Sequence, residues 1–342
     1  MDTQLIKVTD ESKNAALELA ANLILSGKVV GMPTETVYGL AANAYDENAV
    51  KEIFNVKGRP QDNPLIVHIS DLIMLKSVVV EITSDAATLA KAFWPGPLTI
   101  VLPKTDRITD VITCGLNTVA VRMPSHPIAN ELIKKAGVPI AAPSANLSGL
   151  PSTTTAQHVY DDLHGKIPLI LDGGPCEVGV ESTVISLSGE IPTVLRPGII
   201  TLEQIREVLP NAIMSQAVTH ELKADEKVES PGMKYKHYSP KADVTLVKGS
   251  LEKFVEYTKS VAACDSYAMC FDNEEEKIEI PCISYGPKGD AHSQARRLFS
   301  VLRAVDRFHA SAIFVRIEKD IDVESAVYNR LIRAAANKVI EL

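Results

Sequence analysis

The chain has no excess of positive charge. Lys plus Arg total 35 against 43 Asp plus Glu, giving a formal net charge of -8 over 342 residues. That balance provides no general attraction to nucleic acid or to an anionic membrane, so any anion site must be local. Long hydrophobic runs are missing too. No stretch approaches the roughly 20 apolar residues of a membrane span, and the opening MDTQLIKVTDESKNAA has early acidic residues and no apolar signal-peptide core. The cytoplasm is the expected compartment. Cysteine is scarce: Cys114, Cys176, Cys264, Cys270 and Cys282 are odd in number, with no Cys-x-x-Cys pair and no histidines at zinc-finger spacing. They read as reduced, packed thiols, and no metal site is expected. Familiar nucleotide and hydrolase signatures are absent as well: no Gly-x-x-x-x-Gly-Lys-Ser/Thr, no Gly-x-Gly-x-x-Gly, no His-Glu-x-x-His, no Gly-x-Ser-x-Gly. A bound phosphate would therefore depend on side-chain cations more than on a backbone cradle.

The length and the 46% hydrophobic content suggest two domains. In the first two hundred residues β-rich runs alternate with helical patterns. SKNAALELAANLILSG carries Ala16, Leu19, Ala20, Leu23 and Ile24 at helical spacing and stops at Gly27. VVGMP, LIVHIS, LTIVLP, TVAVRM, VPIAA and PLILDG read as strands, and STVISL with PTVLR as a hairpin across SGEI. Helices are expected around 47–56, 84–93, 127–135 and 155–163. The fold class is α/β with a mixed sheet. From Pro210 to Pro240 the chain is polar and broken by Pro231 and Gly232, which reads as a linker. Beyond it VTLVKG, YAMCFD and AIFVRI alternate with helices in a smaller α/β domain. There a helix near 290–309 places Ala295, Leu298, Phe299, Leu302, Val305 and His309 on one side, and Arg296, Arg297, Arg303 and Arg307 read as a solvated face. The expected boundaries are 1–210, 211–241 and 242–342.

Four local patterns could carry chemistry. PTETVYGL (33–40) follows a strand and offers hydroxyls from Thr34, Thr36 and Tyr38, or is turn and cap chemistry. In NVKGRPQDNPLIVHI (55–69), Lys57 and Arg59 flank Gly58, so both cations could aim one way or form a solvated turn. His68 in the same stretch suits a core histidine or a ligand contact. Arg122, at the end of an apolar strand, must pair either with an internal carboxylate or with a carboxylate or phosphate ligand. APSANLSG (142–149) and VESTVISL (180–187), followed by VLRPG, bring small hydroxyl and amide residues, as loops or as a close wall to a nucleotide.

Taken together and in order, PTETVYGL, KGRPQDNPL, WPGPLT, VAVRMP, APSANLSG, ESTVI and LRPG resemble the YrdC domain of L-threonylcarbamoyladenylate synthases, over about residues 10 to 210. PGMKYKHYSPKA and the trailing domain resemble that family's long, two-domain form. The resemblance implies a twisted mixed sheet around a concave basic cavity, with a smaller Rossmann-like C-terminal domain. It implies a nucleotidyltransferase that joins L-threonine, bicarbonate or CO2, and ATP into threonylcarbamoyl-AMP and pyrophosphate, with Mg2+ carried by the nucleotide. A separate transferase then modifies position 37 of tRNA. The threonine pocket would fall on Thr36, His68, Arg122, Ala142 and Ser182. Nucleotide contacts would fall on Lys57, Arg59, Asn63, Thr118, Ser144, Asn146, Ser152 and Arg196, with Tyr238 reaching in from the linker; Lys57 and Arg59 would be catalytic. Residues 230–240, with Lys234, Tyr235, Lys236 and Tyr238, read either as a lid over the nucleotide or as an idle tether. Two rivals stand beside this. One is an RNA-binding module using the same basic surface without nucleotidyl transfer. The other is a carbamoyl-transferring hydrogenase-maturation protein, whose zinc-finger cysteines and acylphosphatase segment are not visible in this chain.

Overall fold

The computed structural model describes residues 2–218, 238–322 and 325–342. The chain divides into two compact units, the larger built from Met1–Ser148 and the chain from Ser152 onward, the smaller from Gly149–Pro151 and the C-terminal residues to Leu342. The expected lid residues Pro231, Gly232, Lys234, Tyr235 and Lys236 lie outside the described residues.

The larger unit is organised by one eleven-stranded sheet. From edge to edge its strands are Gln4–Lys7, Leu169–Asp172, Val30–Met32, Gly39–Asn43, Ile140–Ala141, Ile66–His68, Thr118–Arg122, Leu98–Pro103, Thr183–Ser186, Thr193–Arg196 and Ile213–Met214. Parallel and antiparallel neighbours mix, as expected, and Thr183–Ser186 with Thr193–Arg196 form the expected antiparallel pair. Three strands differ from the sequence reading, the first being the edge strand Gln4–Lys7, parallel to Leu169–Asp172. Gly39–Asn43 begins inside the PTETVYGL motif, pairing with Val30–Met32 and Ile140–Ala141. Ile213–Met214, inside the stretch read as linker, is the edge strand beside Thr193–Arg196.

Alternation gives the sheet two different faces. Val67, Ile100, Val121 and Ile185 point into the main core, beneath helices such as Glu47–Lys57 and Ser84–Phe93. Their neighbours Ile66, Val101, Ala120 and Val184 point the other way and, with Leu195, form a small separate apolar cluster. Beyond that cluster this second face turns polar. A further core packs helix Lys13–Leu25 against Pro127–Ala136; in the first of these Leu17 is buried and Leu19 exposed, a shift of the expected face.

The smaller unit carries a five-stranded parallel sheet in the order Cys282–Ser284, Ser266–Cys270, Ala312–Ile317, Asp243–Lys248, Val339–Glu341. Helix Ala291–Arg307 buries Ala295, Leu298, Phe299, Leu302 and Val305 as expected, but His309 lies beyond its end, exposed and at positive φ. Arg303 is no solvated residue: it is buried and donates to the Pro151 carbonyl through Nη2 (2.6 Å) and Nε (3.1 Å). Among the described residues no helix is long and apolar enough to cross a membrane.

Candidate functional site

Strand register assembles the site. His68 pairs with Arg122, Arg122 with Thr99, Thr99 with Val184, and Val184 with Arg196. Paired residues share a face, so His68, Arg122 and Thr99 stand in one row across three adjacent strands, next to the apolar patch of Ile66, Ala120 and Val101. A bulge between Val194 and Arg196 resets the last strand, letting Arg196 join the row's end.

Arg122 is the centre of this row. It is 3% exposed; Nε donates to the Gly96 carbonyl (3.3 Å) and Nη1 to Thr36 Oγ1 (2.8 Å), while Nη2 forms an ion pair with the Glu35 carboxylate (2.7 Å) without a hydrogen bond's alignment. The sequence leaves open whether an internal carboxylate meets this arginine; Glu35 does. In the Thr-Glu-Thr triplet the sequence reading takes up the outer hydroxyls and omits the carboxylate between them, which is the one that meets Arg122. A buried charge requires a partner, and that is the signal that points to it. The Arg122 guanidinium holds the Glu35 carboxyl below its ordinary value although burial alone would raise it.

The hydroxyls have a fixed direction. Thr34 Oγ1 donates to the Val37 carbonyl (2.6 Å), so at 2.9 Å it accepts from Thr36 Oγ1. Thr36, its one proton so placed and Arg122 donating to it, can only accept from a further group. Tyr38 points elsewhere, its phenol donating to the Gly174 carbonyl at 2.7 Å. His68 is buried, and its Nδ1 has no hydrogen-bond partner among the described residues. Burial first, and the Arg122 charge second, push its pKa down to about 3. It is a neutral imidazole beside a cation.

On the far side of the row Arg196 is buried and grips the Ser182 carbonyl through Nε (3.1 Å) and Nη2 (2.9 Å), with Nη2 also 3.2 Å from Ser182 Oγ. Ser182 Oγ in turn lies 2.7 Å from Thr99 Oγ1. Gly198 makes this close approach possible, since a Cβ there would meet the Thr183 nitrogen at 2.3 Å. Ser152 is buried and bonded to the Glu181 carboxylate.

The Lys57 region departs from the solvated-turn reading. Helix Glu47–Lys57 starts at Asp46, whose side chain accepts from Asn48 and Ala49 amides, and ends at Gly58 with φ 61. Lys57, its last residue, is only 3% exposed and donates to the carbonyls of Ser144 and Asn146, both at 2.5 Å. The cation thus braces the loop that follows Ile140–Ala141. That loop is tied to the sheet, Ala142 N donating to the Ile66 carbonyl and Ser144 bridging Gly39. Arg59, half-buried, donates to the carbonyls of Asn63 (2.9 Å) and Pro64 (3.4 Å). Asn63 is buried, and its Oδ1 has no partner among the described residues.

Asn63 and Thr118 come before the other candidates of their strands: Thr118 opens the strand that Arg122 ends. Four steps of strand separate these two, about 13 Å, with Ala120 between. The candidates therefore lie along a sheet face and not only at strand ends. Tyr238 belongs to the smaller unit. Its ring packs 5.3 Å from Phe299 and 5.7 Å from the Arg330 guanidinium carbon. Among the described residues no group of three or more His, Cys, Asp or Glu could hold a metal ion.

Residues 22–198 match the family model described as "Telomere recombination", which joins the Sua5, YciO and YrdC proteins. Residues 200–336 match the model described as "Threonylcarbamoyl-AMP synthase, C-terminal domain". The threonylcarbamoyl-AMP synthase of Pyrococcus abyssi is 45% identical, the match covering 99% of this chain and 100% of that one. The Bacillus subtilis protein of the same name is 43% identical over 98% of each. A crystal structure of P. abyssi Sua5 complexed with L-threonine superposes with a TM-score of 0.90 at 42% identity, covering 100% of both chains. By both domain matches and by end-to-end likeness to these relatives, the chain belongs to the threonylcarbamoyl-AMP synthase family.

Proposed function

We propose that this chain makes threonylcarbamoyl-AMP at the polar end of the second sheet face. The observation that carries this is the buried row of His68, Arg122, Thr99 and Arg196 beside an apolar floor, joined by the Thr36 and Ser182 hydroxyls. Arg122 holds the threonine carboxylate through the second N–H of each terminal nitrogen. Thr36 accepts from the threonine hydroxyl, Ser182 lies across from it, and neutral His68 offers Nδ1. Ala142 closes the pocket around the substrate methyl group.

The amine of threonine adds CO2 to give a carbamate and a proton. A carbamate oxygen then forms a bond to the α-phosphorus of ATP as the bond to pyrophosphate breaks. Every reactant is anionic, so catalysis is mainly placement and charge compensation. Lys57, Arg59 and Arg196 supply positive charge, and Mg2+ enters as part of the nucleotide substrate. Asn63, Thr118, Ser144, Asn146 and Ser152 line the nucleotide path towards the opposite strand ends. The product's acyl group goes on to position 37 of tRNA through a separate transferase, in the cytoplasm. An RNA-holding role for the same face is disfavoured: Lys57 and Arg122 are buried, out of reach of the phosphates of a duplex though not of a small ligand entering the pocket.

Pyrophosphate release with ATP, threonine and bicarbonate omitted one at a time tests the reading. Release should need all three. Equal release from ATP alone would remove the synthase reaction.

A further inference from the structure

Glu35 has no part in the reaction as just described, yet it is a buried carboxylate placed against the cation of an anion-binding pocket. We infer that Glu35 is a positioning residue that orients Arg122 and neutralises it, so that Arg122 selects a carboxylate by geometry and does not capture phosphate. The inference rests on the reading of Arg122 as the threonine-carboxylate contact.

Three observations lead there. The guanidinium is planar, and contacts to Gly96, Thr36 and Glu35 reach its three nitrogens separately. Two hydrogen bonds and a close ion pair together restrict both the plane and the rotation within it, which a bidentate grip requires. Of the three, Glu35 alone is charged, and at 5% exposure it is nearly as dry as Arg122 itself. The pair is thereby close to neutral. A bare buried guanidinium would attract whichever anion arrived, and the pocket adjoins the route of a triphosphate and its pyrophosphate product. Paired with Glu35, Arg122 still presents directed N–H groups, while the carboxylate beside it repels the higher charge of a phosphate.

The test compares steady-state kinetics of the full chain and three variants, varying threonine and ATP separately and adding inorganic phosphate. Glu35→Gln keeps the side-chain size and removes the charge. It should raise the threonine KM by roughly tenfold or more, leave the ATP KM within about twofold, and make phosphate an inhibitor competitive with threonine. Glu35→Asp keeps the charge on a shorter arm; it should raise the threonine KM while staying resistant to phosphate. Should the Gln variant fail to fold, the Asp variant decides. An unchanged threonine KM in the variants that fold, or equal rises in both KM values with no new phosphate inhibition, overturns the inference. Arg122→Lys separates the two layers: if it too leaves the threonine KM unchanged, the carboxylate assignment of Arg122 falls along with the inference. If Arg122→Lys raises that KM and Glu35→Gln does not, only the positioning role falls.

Discussion

In water near neutral pH an imidazole is protonated roughly a quarter of the time, but His68 in the fold stays neutral because burial and Arg122 hold its pKa near 3. Between about pH 6.5 and 3 the unfolded chain binds a proton at this position and the folded chain does not, so stability falls as pH falls, by at most about 1.4 kcal/mol per pH unit. His126, also pushed down by burial, adds to the same slope. Glu35 contributes stability of its own that is lost only as pH falls through and below the ordinary carboxylate range, since its pKa is lowered. Thermal unfolding should therefore shift downward from pH 6.5 to 5, and His68→Gln should flatten that trend. A variant slope as steep as the parent's would mean that His68 is protonated in the fold. Thr34 acts through a proton of a different kind. It fixes the proton of Thr36 by accepting it, so Thr34→Val should raise the threonine KM with little change for ATP, and cost about 1–3 kcal/mol through the buried groups left unpaired. Equal KM values in parent and variant would show the direction of that hydrogen bond to be irrelevant. At this scale the sequence displays the hydroxyls and cations but conceals their partners, because Glu35 and Arg122 meet only once strands have paired.

At the scale of elements, two glycines separate backbone freedom from close packing. Gly58 ends its helix at φ 61, and a Cβ added there would meet nothing within 4 Å, so Gly58→Ala should cost only about 1 kcal/mol. Gly198 is hemmed in by the backbone of Ser182 and Thr183, and Gly198→Ala should destabilise by several-fold more and disturb both of those residues. Chemical denaturation of the two variants measures the contrast; similar losses would contradict it. Lys57→Ala should lower both turnover and stability, because the same ammonium that carries charge also ties the Ser144 and Asn146 carbonyls. Lowered turnover with an unchanged melting temperature would show that the brace is unimportant. Most strands are legible from runs of apolar and β-branched residues, as in LTIVLP. Gly39–Asn43 is not, because GLAAN has no β-branched residue, and one of its two partner strands, Ile140–Ala141, is distant in sequence. Arg303 misleads because a charge on a helix suggests solvent, although its position next to Leu302 and four residues from Phe299 puts it on the buried side.

For the molecule as a whole, the proposed reaction runs on one sheet face, where a threonine-derived carbamate meets the α-phosphorus of ATP. The order of the motifs makes the fold and family legible in the sequence. The extent of the site is less visible: only the register shows that Thr118 and Arg122 bound a stretch of one strand with an apolar floor between them. The proposed reaction makes a chemical demand, that the carbon between threonine's nitrogen and the phosphate come from dissolved CO2 or bicarbonate. The most direct measurement is mass spectrometry of the reaction mixture with 13C-labelled bicarbonate, ATP and L-threonine. The expected product is a threonylcarbamoyl adenylate carrying a single heavy carbon, formed together with pyrophosphate. An unlabelled adenylate, or AMP formed without any carbamoyl product, would contradict it.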